Sequence, residues 1–247
     1  MEMDAANTPI LTVEGLSKSY GKHPALHNIN LSIEPGQIVG LLGPNGSGKT
    51  TLIKTITGLL TSYTGAVTVV GHQPGLAANT HIAYLPDKAH VPTWLKVSQA
   101  VGLFADFYAD FDRERALHML SAMNIPLNKR LKNLSRGQGE KVQLSLVMSR
   151  RAKLYILDEP IGAVDPASRD FILDTIIKNY DRTASILLST HIISDIEPIL
   201  DRAFFLKDGQ LIMSGDADDI REEHGASLDN VFRKVFANSV EGVSHVS

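Results

Sequence analysis

The segment with the clearest chemistry is a glycine-rich loop that ends in a lysine and a threonine. A glycine, four free positions and then Gly-Lys-Thr form the pattern of a phosphate-binding P-loop. Its glycines let consecutive backbone N–H groups turn inward toward phosphate oxygens. The lysine reaches the β- and γ-phosphates, and the threonine hydroxyl can ligate Mg²⁺. The residues assigned to nucleotide binding here are Gly43, Pro44, Asn45, Gly46, Ser47, Gly48, Lys49, Thr50 and Thr51.

The segments on both sides of this loop favour a nucleotide site over a chance glycine-rich turn. Residues 38–42 form a short apolar run that predicts a buried strand. Residues 51–57 predict a helix that Gly58 ends. The positive end of that helix would face the phosphates. A strand, a glycine-rich loop and a helix in this order give the P-loop the context it needs.

Two acidic residues and a histidine follow two further apolar runs. Asp158 and Glu159 come after residues 154–157, and His191 comes after the run that begins at residue 184. Beside a P-loop, Asp158 can bind Mg²⁺ directly or through water, and Glu159 can orient or deprotonate the attacking water. The alternative is a solvated acidic turn. Because ligands bind at the carboxyl ends of strands in α/β sheets, we expect His191 on the ligand side.

Two more polar positions have both a structural and a functional interpretation. Ser135, in the pentad 134–138, is well placed as the N-cap of the helix that follows, and Gly137 permits close approach to the backbone. By itself this pentad indicates a capping motif. Tyr20 is placed in a polar loop, where it can stack on a base or can be a surface aromatic without a role.

The order of the remaining elements predicts an α/β fold. Residues 10–14 and 28–33 alternate between apolar and polar and predict an antiparallel flap ahead of the P-loop strand. Asp208 and Gly209 between two apolar runs predict a hairpin. The last residues, 238–247, are small and polar, which predicts disorder.

The middle third of the chain has helical rather than strand periodicity. From Trp94 to Arg151 the apolar spacing predicts a helical lobe inserted into the α/β domain. The aromatic residues predicted to fill its core are Trp94, Phe104, Phe107, Tyr108 and Phe111. The predicted boundaries are 1–86 with 152–222 for a catalytic core and its antiparallel β subdomain, 87–151 for the lobe, and 223–247 for a C-terminal helix and tail.

Composition limits the classes of function. The 247 residues suit one globular domain with a small inserted lobe. The net charge of −3 provides no basic field for nucleic acid, and the lack of cysteine excludes disulfides and thiolate metal sites. The acidic N-terminus does not resemble a signal peptide, and no apolar run approaches the roughly 20 residues that span a bilayer. We therefore expect any membrane role to come through a partner.

These motifs, in this order, resemble the ATP-binding subunit of ABC transporters over residues 10–222. The chain is similar to that family at the A-loop aromatic (Tyr20), the Walker A motif (43–50), the signature motif (134–138), the Walker B motif (154–158), the catalytic glutamate (Glu159), the D-loop aspartate (Asp165) and the switch histidine (His191). The resemblance implies a P-loop NTPase with a RecA-like core, an antiparallel β flap and a helical lobe. It also implies ATP and Mg²⁺ as the ligands.

One position departs from the family pattern. The family usually has glutamine where this chain has Asp87, after the segment 84–86. The resemblance implies a place for Asp87 among the catalytic and Mg²⁺-binding residues. Residues 84–87 and 107–112 are also similar to the Ytr-type branch of Gram-positive exporters linked to cell-envelope antibiotics.

The resemblance further implies a shared site. Two subunits would pack head to tail, so that Ser135, Gly137 and Gln138 of one face the γ-phosphate held by Lys49 of the other. The second subunit would be an identical copy or a different ABC ATPase. A separate membrane permease, an exporter, would hold the pair at the cytoplasmic face of the cell membrane.

Other ATPases of the same superfamily offer competing interpretations. A soluble ABC ATPase that acts as an assembly or regulatory scaffold is the first alternative. A tandem translation-factor ATPase needs two P-loops and this chain has one, and a chromosome-maintenance ATPase needs a long coiled coil that is absent here. A permease that co-purifies with the chain would separate a transporter from a scaffold.

Overall fold

Two β-sheets and three groups of helices make up the part of the chain that the computed structural model describes, residues 8–88, 90–162 and 166–237. The elements are β1 Leu11–Tyr20, β2 His23–Ile33, β3 Ile38–Leu42, α1 Lys49–Ile56, β4 Thr64–Val69, α2 Leu76–Asn79, β5 Ile82–Leu85, α3 Val97–Phe107, α4 Arg113–Ala122, α5 Arg136–Met148, β6 Leu154–Asp158, α6 Pro166–Asn179, β7 Ser185–Thr190, α7 Ile193–Ile196, β8 Arg202–Lys207, β9 Gln210–Asp216, α8 Ala217–His224 and α9 Leu228–Ala237. Short 3-10 turns lie at Leu131–Asn133 and Glu197–Ile199.

The larger sheet places the chemistry-bearing residues. Its order is β5-β6-β7-β3-β8-β9, parallel except for the last strand. β3, β6 and β7 are buried along their whole length, as their continuous apolar runs predict for a parallel sheet. The register pairs Leu42 with Thr190 and Asp158 with Ser189. The P-loop, Glu159 and His191 therefore leave the sheet at one edge, as the sequence predicts.

The smaller sheet is the predicted antiparallel flap, with order β2-β1-β4. β1 continues to Tyr20, six residues beyond the predicted end of this strand at residue 14. Register shifts between Val13 and Ser19 interrupt the pairing with β2, which hides the alternation of a regular strand. The predicted loop position of Tyr20 is therefore wrong, because Tyr20 is the last residue of β1 and pairs with His23 in a hairpin.

The helical lobe has its own apolar cluster, built by α3, α4 and α5 around Val97, Val101 and Phe104. Of the aromatic residues predicted to fill this core, Phe104 lies in the cluster and Phe111 packs against it, whereas the prediction is wrong for Trp94, Phe107 and Tyr108. Trp94 is 66% exposed and Phe107 is 76% exposed. Phe107 keeps the helical spacing of the buried residues, but α3 ends there and Tyr108 is already extended, so the Phe107 side chain is exposed although Phe104 in the same turn is buried.

Other features of the described chain agree with the sequence. Asp208 and Gly209 both have positive φ and join β8 to β9 in the predicted hairpin. The C-terminal helix predicted within residues 223–247 forms as α9, and both α8 and α9 pack against the main apolar cluster. The short helices α2 and α7 have no signal in the sequence. The predicted disordered tail, 238–247, lies outside the described residues. No helix within 8–88, 90–162 and 166–237 has the length and apolar character to cross a bilayer.

Candidate nucleotide site

The P-loop joins the buried strand β3 to helix α1 with backbone that only glycine adopts easily. Gly46 and Gly48 have φ of +84° and +109°. A Cβ on Gly48 would lie 2.7 Å from the carbonyl oxygen of Ala25. Gly48 caps α1 without a side chain, so the first amides of the helix have no intrahelical acceptor. Ser47 adds a buried hydroxyl without a hydrogen-bond partner among the described residues. The loop therefore offers several donors to an anion.

Lys49 is a buried cation at the centre of this loop, with 5% of its side chain exposed. Its Nζ donates to the carbonyl oxygens of Gly43 at 2.7 Å and Pro44 at 3.1 Å. It also lies 3.6 Å from the Oε1 of Glu159. Burial lowers the pKa of Lys49, and the charges of Glu159 and Asp158 oppose this shift. The ammonium group is thus held where phosphate oxygens can reach it.

Asp158 and Thr50 form the candidate Mg²⁺ site. Thr50 Oγ1 donates to Asp158 Oδ2 at 3.3 Å, and the Ser189 hydroxyl donates to Oδ1. Burial raises the pKa of Asp158, and the hydrogen bonds from Ser189 and Thr50 oppose the shift. Within the described residues no group of three or more His, Cys, Asp or Glu could hold a metal. Mg²⁺ typically uses one or two carboxylates plus substrate phosphates and waters, so this pair of oxygen ligands fits it.

Glu159 stands at the edge of the cleft in a conformation that its neighbours enforce. Its φ is +52°, which is uncommon for a residue with a Cβ and costs on the order of 1–3 kcal/mol. Its N–H donates to Ser189 O at 3.0 Å. Thr190 Oγ1 donates to its Oε2 at 3.2 Å, and His191 Nδ1 lies 3.0 Å from the same oxygen. The carboxylate is therefore fixed in direction while it remains 14% exposed.

The structure brings nine of the predicted site residues together in a cleft of about 460 Å³. Its lining includes Asn45, Gly46, Gly48, Lys49, Thr50, Thr51, Asp87, Glu159 and His191. Gly43 and Pro44 take part through their carbonyl contacts with Lys49. Asp87, the position that departs from the family pattern, therefore faces the phosphate-binding loop.

Four of the predicted nucleotide contacts outside the P-loop do not line this cleft. Ser135 lines a neighbouring pocket of about 360 Å³ that shares Asp87 with the cleft, and Gly137 and Gln138 lie beside Ser135 in the first turn of α5. Tyr20, at the end of β1, is 49% exposed and lies outside the cleft. Asp165 lies outside the described residues. Within one chain, the signature pentad thus lies beside the P-loop cleft and not in it.

The capping interpretation of Ser135 is confirmed. Ser135 Oγ accepts from the Gln138 N–H at 3.3 Å, and the Gln138 Oε1 accepts from the Ser135 N–H at 3.2 Å. Ser135 remains exposed in the chain. Its cap fixes the start of α5 without closing that helix end to an anion.

Sequence reasoning missed the hydroxyl residues that hold the two carboxylates. Ser189 and Thr190 end β7 and contact Asp158 and Glu159. The sequence feature that could have indicated these contacts is the pair of hydroxyl residues at the end of an otherwise apolar strand. Their role depends on β7 lying beside β6, and the local sequence of neither strand predicts that they are neighbours.

Comparisons with known proteins find a matching family profile and several similar proteins. The ABC transporter family profile matches residues 26–162. YtrB of Bacillus subtilis (strain 168), an ABC transporter ATP-binding protein, is 31% identical over 220 residues, 87% of this chain and 75% of YtrB. SkfE of the same organism, the SkfA peptide export ATP-binding protein, is 32% identical over 209 residues, 82% of this chain and 87% of SkfE. A solved ATP-binding subunit of an ABC transporter has a TM-score of 0.83 and 29% identity, and the match covers 92% of this chain and 99% of that one.

The similarity to YtrB is no greater than that to SkfE. The assignment to the Ytr-type branch therefore stays a prediction, while the wider family and the α/β P-loop fold are confirmed.

Proposed function

Since the chain belongs to the ABC transporter ATP-binding family and is an ATP hydrolase of that family, we propose that two subunits close head to tail around ATP. The observation that supports this most is that Ser135 lines a pocket beside the P-loop cleft and not the cleft itself. Ser135 is exposed at the start of α5, where free helical amides can bind an anion. A facing subunit would bring this helix end to the open side of the cleft and so complete the site.

The proposal gives the following roles to residues of the cleft and their neighbours. The P-loop amides and Lys49 bind the triphosphate, and Glu159 orients the attacking water and accepts its proton. His191 and Thr190 keep the Glu159 carboxylate in place. Thr50 and Asp158, with Asp87 nearby, would hold Mg²⁺, which supplies charge neutralisation between the phosphates. We also propose that Tyr20 stacks on the base and that Asp165 contributes at the interface.

Mixing two inactive variants tests the shared site. Lys49→Ala damages the P-loop half and Ser135→Arg blocks the signature half, so each variant alone has no intact site. In a mixed head-to-tail pair, Lys49 of one variant faces Ser135 of the other, and one undamaged site forms. We expect partial recovery of ATP hydrolysis on mixing, measured by phosphate release.

The control for this experiment is the wild type alone. Suppose that the wild type hydrolyses ATP, that the variants exchange subunits and that mixing restores no activity. In that case either identical copies do not share sites, or turnover needs two intact sites. A wild type that is inactive alone would favour a hetero-pair with a second ABC ATPase.

A membrane permease is the second partner that we propose. We also propose that the pair drives export, because SkfE is named for peptide export. A groove of about 450 Å³ between the core and the lobe supports a permease partner. Its lining includes Leu59, Tyr84, Pro86 and Tyr108. Leu59 is 62% exposed. An apolar groove of this kind suits a short helix from a partner subunit. The permease would hold the chain at the cytoplasmic face of the membrane.

The groove makes a prediction for co-purification from detergent-solubilised membranes of the source organism. We expect a stoichiometric integral membrane protein with the wild type and its loss with Leu59→Glu, because a charge in the groove opposes burial of the partner. Ile212→Glu, at a 41% exposed apolar residue on β9, is the matched control and should retain the partner. An active ATPase that brings down no membrane protein would favour the scaffold interpretation.

A further inference from the structure

Arg150 is a buried arginine at the junction of the lobe and the core, two residues after α5 ends. Its Nε and Nη2 donate to the two carboxylate oxygens of Asp110 at 3.0 and 3.1 Å. Nη2 also donates to the carbonyl oxygen of Thr80 at 3.1 Å, and Nη1 donates to that of Ile82. Asp110 belongs to the lobe, whereas Ile82 begins β5 in the core and Thr80 lies two residues before it. The Arg150 guanidinium therefore makes hydrogen bonds to both the lobe and the core.

The contacts of Arg150 leave it little freedom. The Tyr108 ring lies 4.0 Å from the guanidinium carbon and covers one face of it. The Tyr155 hydroxyl, on β6, donates to the Arg150 carbonyl oxygen at 2.6 Å. Both the backbone and the side chain of Arg150 are thus fixed to the core. Bidentate, forked contacts of this kind define direction as well as distance.

This junction fixes one end of the helix that Ser135 begins. Val142 and Leu146 of α5 pack in the lobe cluster, and Leu144 and Val147 pack in the main cluster. Apolar packing is not directional, so it leaves the tilt of α5 less defined than the Arg150 contacts do. About 15 residues at 1.5 Å each separate Arg150 from Ser135, roughly 22 Å, so a tilt of about 5° would move Ser135 by about 2 Å.

We propose that Arg150 is a positioning residue that sets the angle of α5 against the core and thereby the place of Ser135 opposite the facing P-loop. The consequence for ATP rests on the proposed head-to-tail site, where a displacement of about 1 Å can cost about 100-fold in rate. The effect on the angle itself does not depend on that site. Arg150 and Tyr108 both line the groove between core and lobe, so an occupant of the groove would touch this junction.

The angle can be measured directly because the chain has no cysteine. Lys132→Cys in the lobe and Lys178→Cys in the core, both exposed, accept spin labels for a distance measurement by pulsed electron paramagnetic resonance. In this labelled chain we expect Arg150→Met to broaden the distance distribution and shift its mean by about 2 Å, the displacement estimated above from helix geometry. Arg151→Met is the matched control: Arg151 is 74% exposed and paired with Asp112, and its loss should leave the distribution unchanged.

The second measurement is ATP-driven dimerisation in the Glu159→Gln background. We expect Arg150→Met to require at least about 10-fold more protein for dimerisation, consistent with a displacement of Ser135, while the affinity of the monomer for ATP stays unchanged. Arg150→Lys should be intermediate, since an ammonium cannot make the forked contact, and it replaces Arg150→Met if that variant does not fold.

Three results would overturn the proposal. One is an unchanged distance distribution in Arg150→Met, or in Arg150→Lys if only that variant folds. Another is dimerisation equal to that of the parent variant, and the third is a parallel loss of ATP affinity and melting temperature, which indicates a merely structural residue. Failure of the Glu159→Gln parent to dimerise would instead count against the proposed function, and the label distances would still decide the role of Arg150.

Discussion

Glu159→Gln should bind ATP as the wild type does and hydrolyse it about 10²–10⁴-fold more slowly. The amide keeps the size of the side chain and can keep a contact with Thr190, which donates to Oε2 at 3.2 Å. It cannot accept a proton from the attacking water. Binding of a fluorescent ATP analogue and release of phosphate measure the two effects separately.

A matched substitution shows whether this loss is specific to the cleft. Glu114→Gln changes an exposed glutamate in the first turn of α4, in the lobe, and should leave turnover unchanged. Turnover of Glu159→Gln within a few-fold of the wild type would remove Glu159 from the catalytic role.

Lys49→Ala should weaken ATP binding by about 10–100-fold, the loss expected when a charge-assisted hydrogen bond worth about 1.5–3 kcal/mol disappears, and it should abolish turnover. Two effects act together. The only buried lysine of the described chain no longer faces the phosphates. The carbonyl oxygens of Gly43 and Pro44 also lose the donor that holds the loop in shape.

Isothermal titration calorimetry with ATP measures the affinity. Lys153→Ala, at an exposed lysine before β6, is the control and should bind as the wild type does. An unchanged dissociation constant together with unchanged turnover in Lys49→Ala would count decisively against the P-loop assignment.

The sequence predicts which residues meet at this edge of the sheet because they follow short, fully buried strands. Lys49, Glu159 and His191 are far apart in the chain, but each comes after an apolar run of a parallel sheet, and parallel strands end at one edge. The contacts within that edge could not be predicted. The Ser189 and Thr190 contacts depend on β7 lying beside β6, which is a property of topology.

The predictions fail in two situations: a sequence pattern continues where no neighbour covers the side chain, or a strand continues after its alternating pattern has broken. Phe107 keeps helical spacing with Phe104, yet α3 ends before a neighbour can cover it. The sequence places Tyr20 in a loop because register shifts break the alternation of β1. Position in the tertiary structure, and not residue type, decides these cases.

The mass of Glu159→Gln in solution tests the central claim most directly. Size exclusion with light scattering should give the mass of one chain without nucleotide and twice that mass with ATP and Mg²⁺, because slowed hydrolysis traps the closed pair. With Lys49→Ala added, the doubled mass should disappear. A single-chain mass at saturating ATP would contradict a site shared between two copies of this chain.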